Sequence, residues 1–212
     1  MKFDKKALRL YAVTDRSWLC GQSLASRAEL ALKGGATMLQ LREKGLPQAE
    51  LLAEAREMKA LCGRYGVPLI VNDSVEAALD SDADGVHLGQ GDLCAKKARR
   101  LLGPGKILGV SARTAAQAME AEQNGADYLG AGAMFGTATK ADAKALSLGA
   151  LREICSAVSI PVVAIGGITV ENLPLLRGSG IAGIAVVSGI FAQPNIEESC
   201  RALCALANEV LG

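Results

Sequence analysis

The sequence has no uninterrupted apolar run approaching the ~18 residues that a membrane-spanning helix requires. The nearest stretch to a leader, MKFDKKALRLYAVTD at the N-terminus, is broken by charges. Neither a transmembrane span nor a signal peptide is expected, and the expected location is the cytoplasm. Ligands for soft metals are scarce too. There is one histidine, His87, and none of the six cysteines (Cys20, Cys62, Cys94, Cys155, Cys200 and Cys204) forms a C-x-x-C pair. A zinc site is not expected, and the cysteines read as buried thiols in a reducing compartment. Charge of one sign is also missing, since 23 Lys and Arg nearly cancel 22 Asp and Glu. That balance argues against bulk binding to nucleic acid or to a membrane surface, and it leaves room for a small, concentrated anion site. No linker, charge block or low-complexity segment divides the chain, so residues 1–212 are expected to form a single domain. The segment most like a flexible loop is 134–147, MFGTATKADAKALS.

What is present is an alternation. Short apolar runs at 10–14, 38–42, 69–72, 85–88, 107–110, 128–131, 162–165 and 184–187 read as strands, with longer helical patterns between them. In 47–62 (PQAELLAEAREMKALC) the apolar positions Leu51, Leu52, Ala55, Met58, Leu61 and Cys62 form one stripe. Pro47 suits the first turn of that helix and Gly63 suits its stop. A last helix spans roughly 196–211. Strand–helix repeated eight times predicts an α/β fold with a parallel sheet closed into a (β/α)8 TIM barrel. With 212 residues against the ~250 typical of the fold, its loops must be tight. An internal echo supports the repeat. The even strands follow Gly35-Ala36-Thr37, Ala83-Asp84-Gly85, Gly125-Ala126-Asp127 and Gly180-Ile181-Ala182-Gly183, and the third and seventh follow Val67-Pro68 and Ile160-Pro161.

In such barrels the active site lies at the C-terminal ends of the strands. The second strand ends in Gln40-Leu41-Arg42-Glu43-Lys44, where alternation puts Gln40, Arg42 and Lys44 on one face and Leu41 and Glu43 on the other. A Gln and an Arg projecting into a barrel mouth need partners, and an anion or a heterocycle supplies them; the plainer reading is a solvated Arg–Glu pair. Asp73 after the third strand and Asp92 after the fourth can share a Mg²⁺ whose octahedron a diphosphate and water complete. Asp73 could instead cap the helix that begins at Ser74. His87, inside the fourth strand, reads as packed in the core rather than as a base. Ser111 ends the fifth strand and could bond a phosphate oxygen, although Ser is common there as turn chemistry. Thr137, Thr139 and Lys140 make an anion-binding loop or an ordinary solvated one. The strongest local pattern is Ile165-Gly166-Gly167-Ile168 with Val186-Val187-Ser188-Gly189, glycine-rich loops after the seventh and eighth strands whose backbone N–H groups suit a phosphate. Two anion sites across one mouth suggest two phosphorylated substrates being joined. No Ser/His/Asp triad and no carboxylate pair suited to a glycosidase is apparent.

Taken together, QLREK at 40–44, VND at 71–73, GVHLGQGD at 85–92, GVSA at 109–112, T-x-TK at 137–140, IGGI at 165–168 and VVSGIF at 186–191 resemble the thiamine-phosphate synthase family, in its order and at its spacing. The resemblance implies a transferase. It joins 4-amino-2-methyl-5-(hydroxymethyl)pyrimidine diphosphate to thiazole phosphate or its carboxylate, giving thiamine phosphate and diphosphate. It implies Gln40, Arg42, Lys44 and Asn72 for the pyrimidine diphosphate, Asp73 and Asp92 for Mg²⁺, and Ser111 and Lys140 for the diphosphate side. Thr137, Thr139, Gly167, Val187 and Ser188 fall to the thiazole phosphate. Arg42, Ser111 and Lys140 would assist catalysis. Ala133 and Gly136 depart from the family, which usually has prolines there, and Arg113 stands where a His is common. Related barrels include thiazole tautomerases and non-catalytic regulators of the pathway, neither of which needs the set Lys44, Asn72, Asp73, Asp92 and Lys140.

Overall fold

The computed structural model describes residues 4–136 and 145–211. Its strands are β1 (Leu10–Val13), β2 (Met38–Leu41), β3 (Leu69–Asn72), β4 (Gly85–Leu88), β5 (Ile107–Ala112), β6 (Tyr128–Gly132), β7 (Val162–Ile165) and β8 (Gly183–Val186). All pair in parallel and in chain order, and β8 closes on β1. The helices are α1 (Leu24–Lys33), α2 (Gln48–Tyr65), α3 (Val75–Asp80), α4 (Ala95–Leu102), α5 (Ala115–Gln123), α6 (Leu148–Ala157), α7 (Ser188–Phe191) and α8 (Ile196–Leu211). The fold is the expected (β/α)8 barrel.

Three expectations change in detail. The helix of residues 47–62 does not stop at Gly63. It runs on to Tyr65 and ends at Gly66, which takes the left-handed conformation at φ 65° and returns its N–H to the Cys62 and Gly63 carbonyls. Between β7 and β8 the described residues hold only a 3₁₀ turn, Leu173–Leu176, because Pro174 opens it and the left-handed Gly178 and Gly180 follow at once. The cysteines are not uniformly buried. Cys62 and Cys200 are, and burial pushes both thiols up to about 12, but Cys20 and Cys94 are exposed. Cys20 lies in a turn and Cys94 precedes α4, positions where the chain meets solvent.

The repeated leads have a physical basis. The residue before each of β2, β4 and β6 turns its side chain onto an amide near the start of the preceding strand. Leu10 N donates to Thr37 Oγ1 at 2.9 Å, Leu69 N to Asp84 Oδ2 at 2.8 Å, and Leu108 N to Asp127 Oδ2 at 2.8 Å. The backbone repeats the clamp: Thr37, Asp84, Asp127 and Ala182 donate to Leu10, Leu69, Leu108 and Val162. Lys59 pairs with Asp84 at 2.7 Å and Arg99 with Asp127 at 2.6 Å, so both clamping carboxylates are neutralised. These contacts close the N-terminal end of the barrel and leave the other end to chemistry.

Alternation along the strands makes two cores. Leu10, Leu39, Leu41, Leu69, Val71, Val86 and Leu88 face outward and pack against the helices. Tyr11, Val13, Met38, Ile70, Tyr128, Val163 and Ala185 fill the interior. At one point the packing leaves no space for a side chain. A Cβ on Gly183 would lie 1.7 Å from the Leu8 carbonyl oxygen, a backbone atom that no rotamer change moves. Gly183→Ala is therefore expected to destabilise the barrel by ~3 kcal/mol or more, read as a lower midpoint in urea unfolding.

Candidate active site

A cavity of about 430 Å³ opens at the C-terminal ends of the strands, within the range usual for small-molecule sites. Gln40, Arg42, Lys44, Asn72, Asp73, Asp92, Ser111, Gly167, Val187 and Ser188 all line it. Thr137, Thr139 and Lys140 lie outside the described residues.

The β2 end shows why alternation matters. Arg42 lines the cavity, and its Nη1 lies 3.6 Å from Asp15 Oδ2, which steadies the guanidinium. Glu43 turns away and is covered by Arg16, whose Nε donates to Glu43 Oε2 at 2.9 Å and whose other arm bonds Glu54. Burial pushes the Glu43 carboxyl up, and the Arg16 guanidinium opposes that shift. The plainer alternative, an Arg42–Glu43 surface pair, does not hold: the two side chains make separate pairs, one on each face of the strand.

Asp73 follows β3 in a left-handed conformation, φ 64°. It does not cap α3. Ser74 does, its Oγ accepting from Ala77 N at 3.1 Å, and Asp73 lines the cavity. Asp92 Oδ2 accepts from Gly89 N at 2.6 Å, which folds the loop after β4 back and points the carboxylate toward the same space. Two carboxylates on adjacent strand ends form a hard-oxygen donor set that fits Mg²⁺ in character and charge.

On the opposite wall, Gly166 and Gly167 have φ 101° and 66°. A Cβ on Gly167 would lie 2.5 Å from the Gly136 carbonyl oxygen, so only glycine fits. Asn172 pins this loop by donating to Gly167 O at 2.8 Å and accepting from Thr169 N at 2.9 Å. Val187 and Ser188 open the short α7 at the cavity wall, and the first amides of a helix have no carbonyl of their own helix to reach.

Several lining residues escaped the sequence reading. Gln90 donates to Ser111 O at 2.6 Å, and Arg113 Nη1 donates to Gly132 O at 2.6 Å, tying the end of β5 to the end of β6. His87 is a correction. It is half-buried, faces the cavity and bonds Tyr128 and Ser111 at 3.0 Å each, rather than packing among apolar groups. Nothing local to these residues in sequence marks their partners.

A family model described as thiamine monophosphate synthase matches residues 10–190. The chain belongs to that family. It is 46% identical over 200 residues to a thiamine-phosphate synthase of Clostridium tetani, covering 94% of this chain and 96% of that one. It is 48% identical over 194 residues to a thiamine-phosphate synthase of Ruminiclostridium cellulolyticum, with 92% of each chain covered. Among solved structures, a thiamine phosphate pyrophosphorylase from Pyrococcus furiosus superposes with a TM-score of 0.91 at 38% identity, over 98% of this chain and 99% of that one. Family membership at this identity and coverage makes the chain a transferase of thiamine synthesis that joins a pyrimidine to a thiazole moiety. The tautomerase and regulator alternatives are not favoured.

Proposed function

We propose that this barrel, acting as one catalytic domain over residues 1–212, transfers the pyrimidinylmethyl group of 4-amino-2-methyl-5-(hydroxymethyl)pyrimidine diphosphate to the nitrogen of thiazole phosphate or its carboxylate. The products are thiamine phosphate and diphosphate. The observation that carries this reading is the convergence, in one cavity, of a wall of cations and paired carboxylates with a wall of glycine-rich backbone. Each wall suits one phosphorylated substrate.

Gln40, Arg42, Lys44 and Asn72 hold the pyrimidine diphosphate in this reading, and Ser111 and Lys140 contact its diphosphate. Asp73 and Asp92 hold one Mg²⁺ per subunit, which when bound neutralises charge on the diphosphate. Thr137, Thr139, Gly167, Val187 and Ser188 hold the thiazole phosphate. Arg42 and Lys140 stabilise the charge that gathers on the departing oxygens, and the cavity aligns the two rings. The partners are these small molecules, with no nucleic acid or membrane among them. Among the described residues no helix is long and apolar enough to cross a membrane. The thiols of Cys20 and Cys94 are exposed and free, as a reducing compartment allows, and we place the enzyme in the cytoplasm. Incubation with both substrates and Mg²⁺ should release diphosphate and thiamine phosphate in equal amounts. No diphosphate release would overturn the reading.

The two walls can be separated. Ser188→Asp puts a negative charge beside the glycine-rich wall, and like-charge repulsion in a partly desolvated mouth costs ~2 kcal/mol or more. Affinity for thiazole phosphate is expected to fall at least about tenfold, with a smaller change for pyrimidine diphosphate. Calorimetric titration of each substrate alone gives the ranking, and the opposite order would mean the walls are assigned backwards.

A further inference from the structure

A line of side-chain hydrogen bonds crosses the barrel beneath the cavity, from β2 to β5. Gln40 Nε2 donates to the Tyr11 hydroxyl at 2.6 Å, and the Tyr11 and Tyr128 hydroxyls lie 2.9 Å apart. Tyr128 is 3.0 Å from His87 Nδ1, and His87 Nε2 is 3.0 Å from Ser111 Oγ. The fold makes room for it. A Cβ on Gly109 would lie 2.2 Å from the Tyr128 ring, and one on Gly130 would lie 3.1 Å from His87 Cε1, so glycines on β5 and β6 seat the two rings. Gln40, Tyr11, His87 and Ser111 line the cavity, whereas Tyr128 is fully buried and does not.

Such a line has a direction. Burial pushes both phenols well above their ordinary range, so each keeps its single proton. Among the described residues the Tyr11 hydroxyl has two partners, Gln40 and Tyr128. It accepts from Gln40, and donating its own proton to Tyr128 satisfies both contacts. On that order Tyr128 would donate to His87 Nδ1 and the ring proton would sit on Nε2, facing Ser111 Oγ. Ser111, accepting there, turns its own proton into the cavity.

We propose that His87 and Tyr128 are positioning residues that fix the polarity of the two ends of the pyrimidine diphosphate site. Gln40 is held with its amide oxygen free to accept, and Ser111 with its hydroxyl set to donate. The inference rests on the function proposed above, and the match is chemical. The 4-amino group of the pyrimidine is a donor, and the diphosphate offers only acceptors. One proton order, passed through four hydrogen bonds, suits both ends of the substrate, and the reverse order suits neither.

His87 is the only histidine in the chain, so ¹⁵N-histidine labelling gives a single imidazole spectrum. The wild-type ring should carry a proton on Nε2 and none on Nδ1. Protonation at Nδ1, alone or together with Nε2, would overturn the proposal, and this measurement needs no variant to fold. Tyr128→Phe keeps the ring and removes the link. It is expected to lower kcat/KM for the pyrimidine diphosphate about tenfold, and in a Ser111→Ala background to have a clearly smaller effect, the part that passes through Tyr11 to Gln40. Losses that simply multiply in the double variant would refute the coupling. A wild-type enzyme that makes no thiamine phosphate would sink the proposed function, while the ring spectrum would still decide the proton order.

Discussion

Asp73→Asn and Asp92→Asn should each lower turnover about a hundredfold at fixed Mg²⁺, with part of the loss restored as Mg²⁺ is raised. Each change removes one negative charge from a two-carboxylate donor set while leaving an oxygen in place. The half-saturating Mg²⁺ concentration is therefore expected to rise at least about tenfold. The fold should be untouched. Ser74 caps α3 in place of Asp73, and an Asn at position 92 still offers an oxygen to Gly89 N. Initial rates across a Mg²⁺ titration, set beside thermal unfolding of each variant, separate a lost ligand from a lost fold. Both variants working at full rate in the presence of chelator would remove Asp73 and Asp92 from any metal site.

The barrel was legible because its signals are local and repeated. Apolar runs of strand length, Gly or Pro leads and helical stripes recur along the chain, and in the structure the leads before β2, β4 and β6 hold the clamping residues Thr37, Asp84 and Asp127. Boundaries were less legible where two local signals competed. Gly63 and Gly66 both follow the apolar stripe of α2, and the stop falls at Gly66 because that residue takes the left-handed conformation. The helix expected between β7 and β8 shrank for a related reason, since Pro174, Gly178 and Gly180 crowd a segment too short to absorb them.

At the cavity, the residues found from sequence are those whose direction follows from strand period alone, such as Gln40 and Arg42, or whose position follows from glycine at a strand end, such as Gly167. Those missed depend on distant partners. His87 bonds Tyr128 and Ser111, 41 and 24 residues away, and Asp15 reaches Arg42 only because β1 and β2 are neighbours in the sheet. A lone histidine in a strand looks the same in sequence whether apolar groups or hydroxyls surround it. Only the closed barrel, which brings β4, β5 and β6 side by side, decides between them.

Single-turnover rates should fall steeply as the 2-substituent of the pyrimidine diphosphate becomes more electron-withdrawing. We expect a decrease of at least about a hundredfold across a series, equivalent to ~3 kcal/mol in the barrier. Among the described residues the cavity wall presents no cysteine, and the ring of His87 is bonded to Tyr128 and Ser111. What the wall does present is Arg42, Lys44 and paired carboxylates suited to a divalent cation, which the proposed function sets around the departing diphosphate. Groups of that kind stabilise charge on a leaving oxygen. The proposed step therefore begins with cleavage of the C–O bond between the exocyclic CH2 and the diphosphate, the electron pair leaving with oxygen. The 4-amino group feeds electron density through the ring to the CH2 left behind, and the lone pair of the thiazole nitrogen then forms the new C–N bond. Positive charge builds on the pyrimidine in the transition state, so a substituent that withdraws density raises the barrier directly. A concerted displacement by the thiazole nitrogen builds little such charge and would respond weakly. A flat dependence on substituent electronics, measured at saturating substrate so that binding does not enter, would rule out the dissociative path while leaving the overall transfer in place.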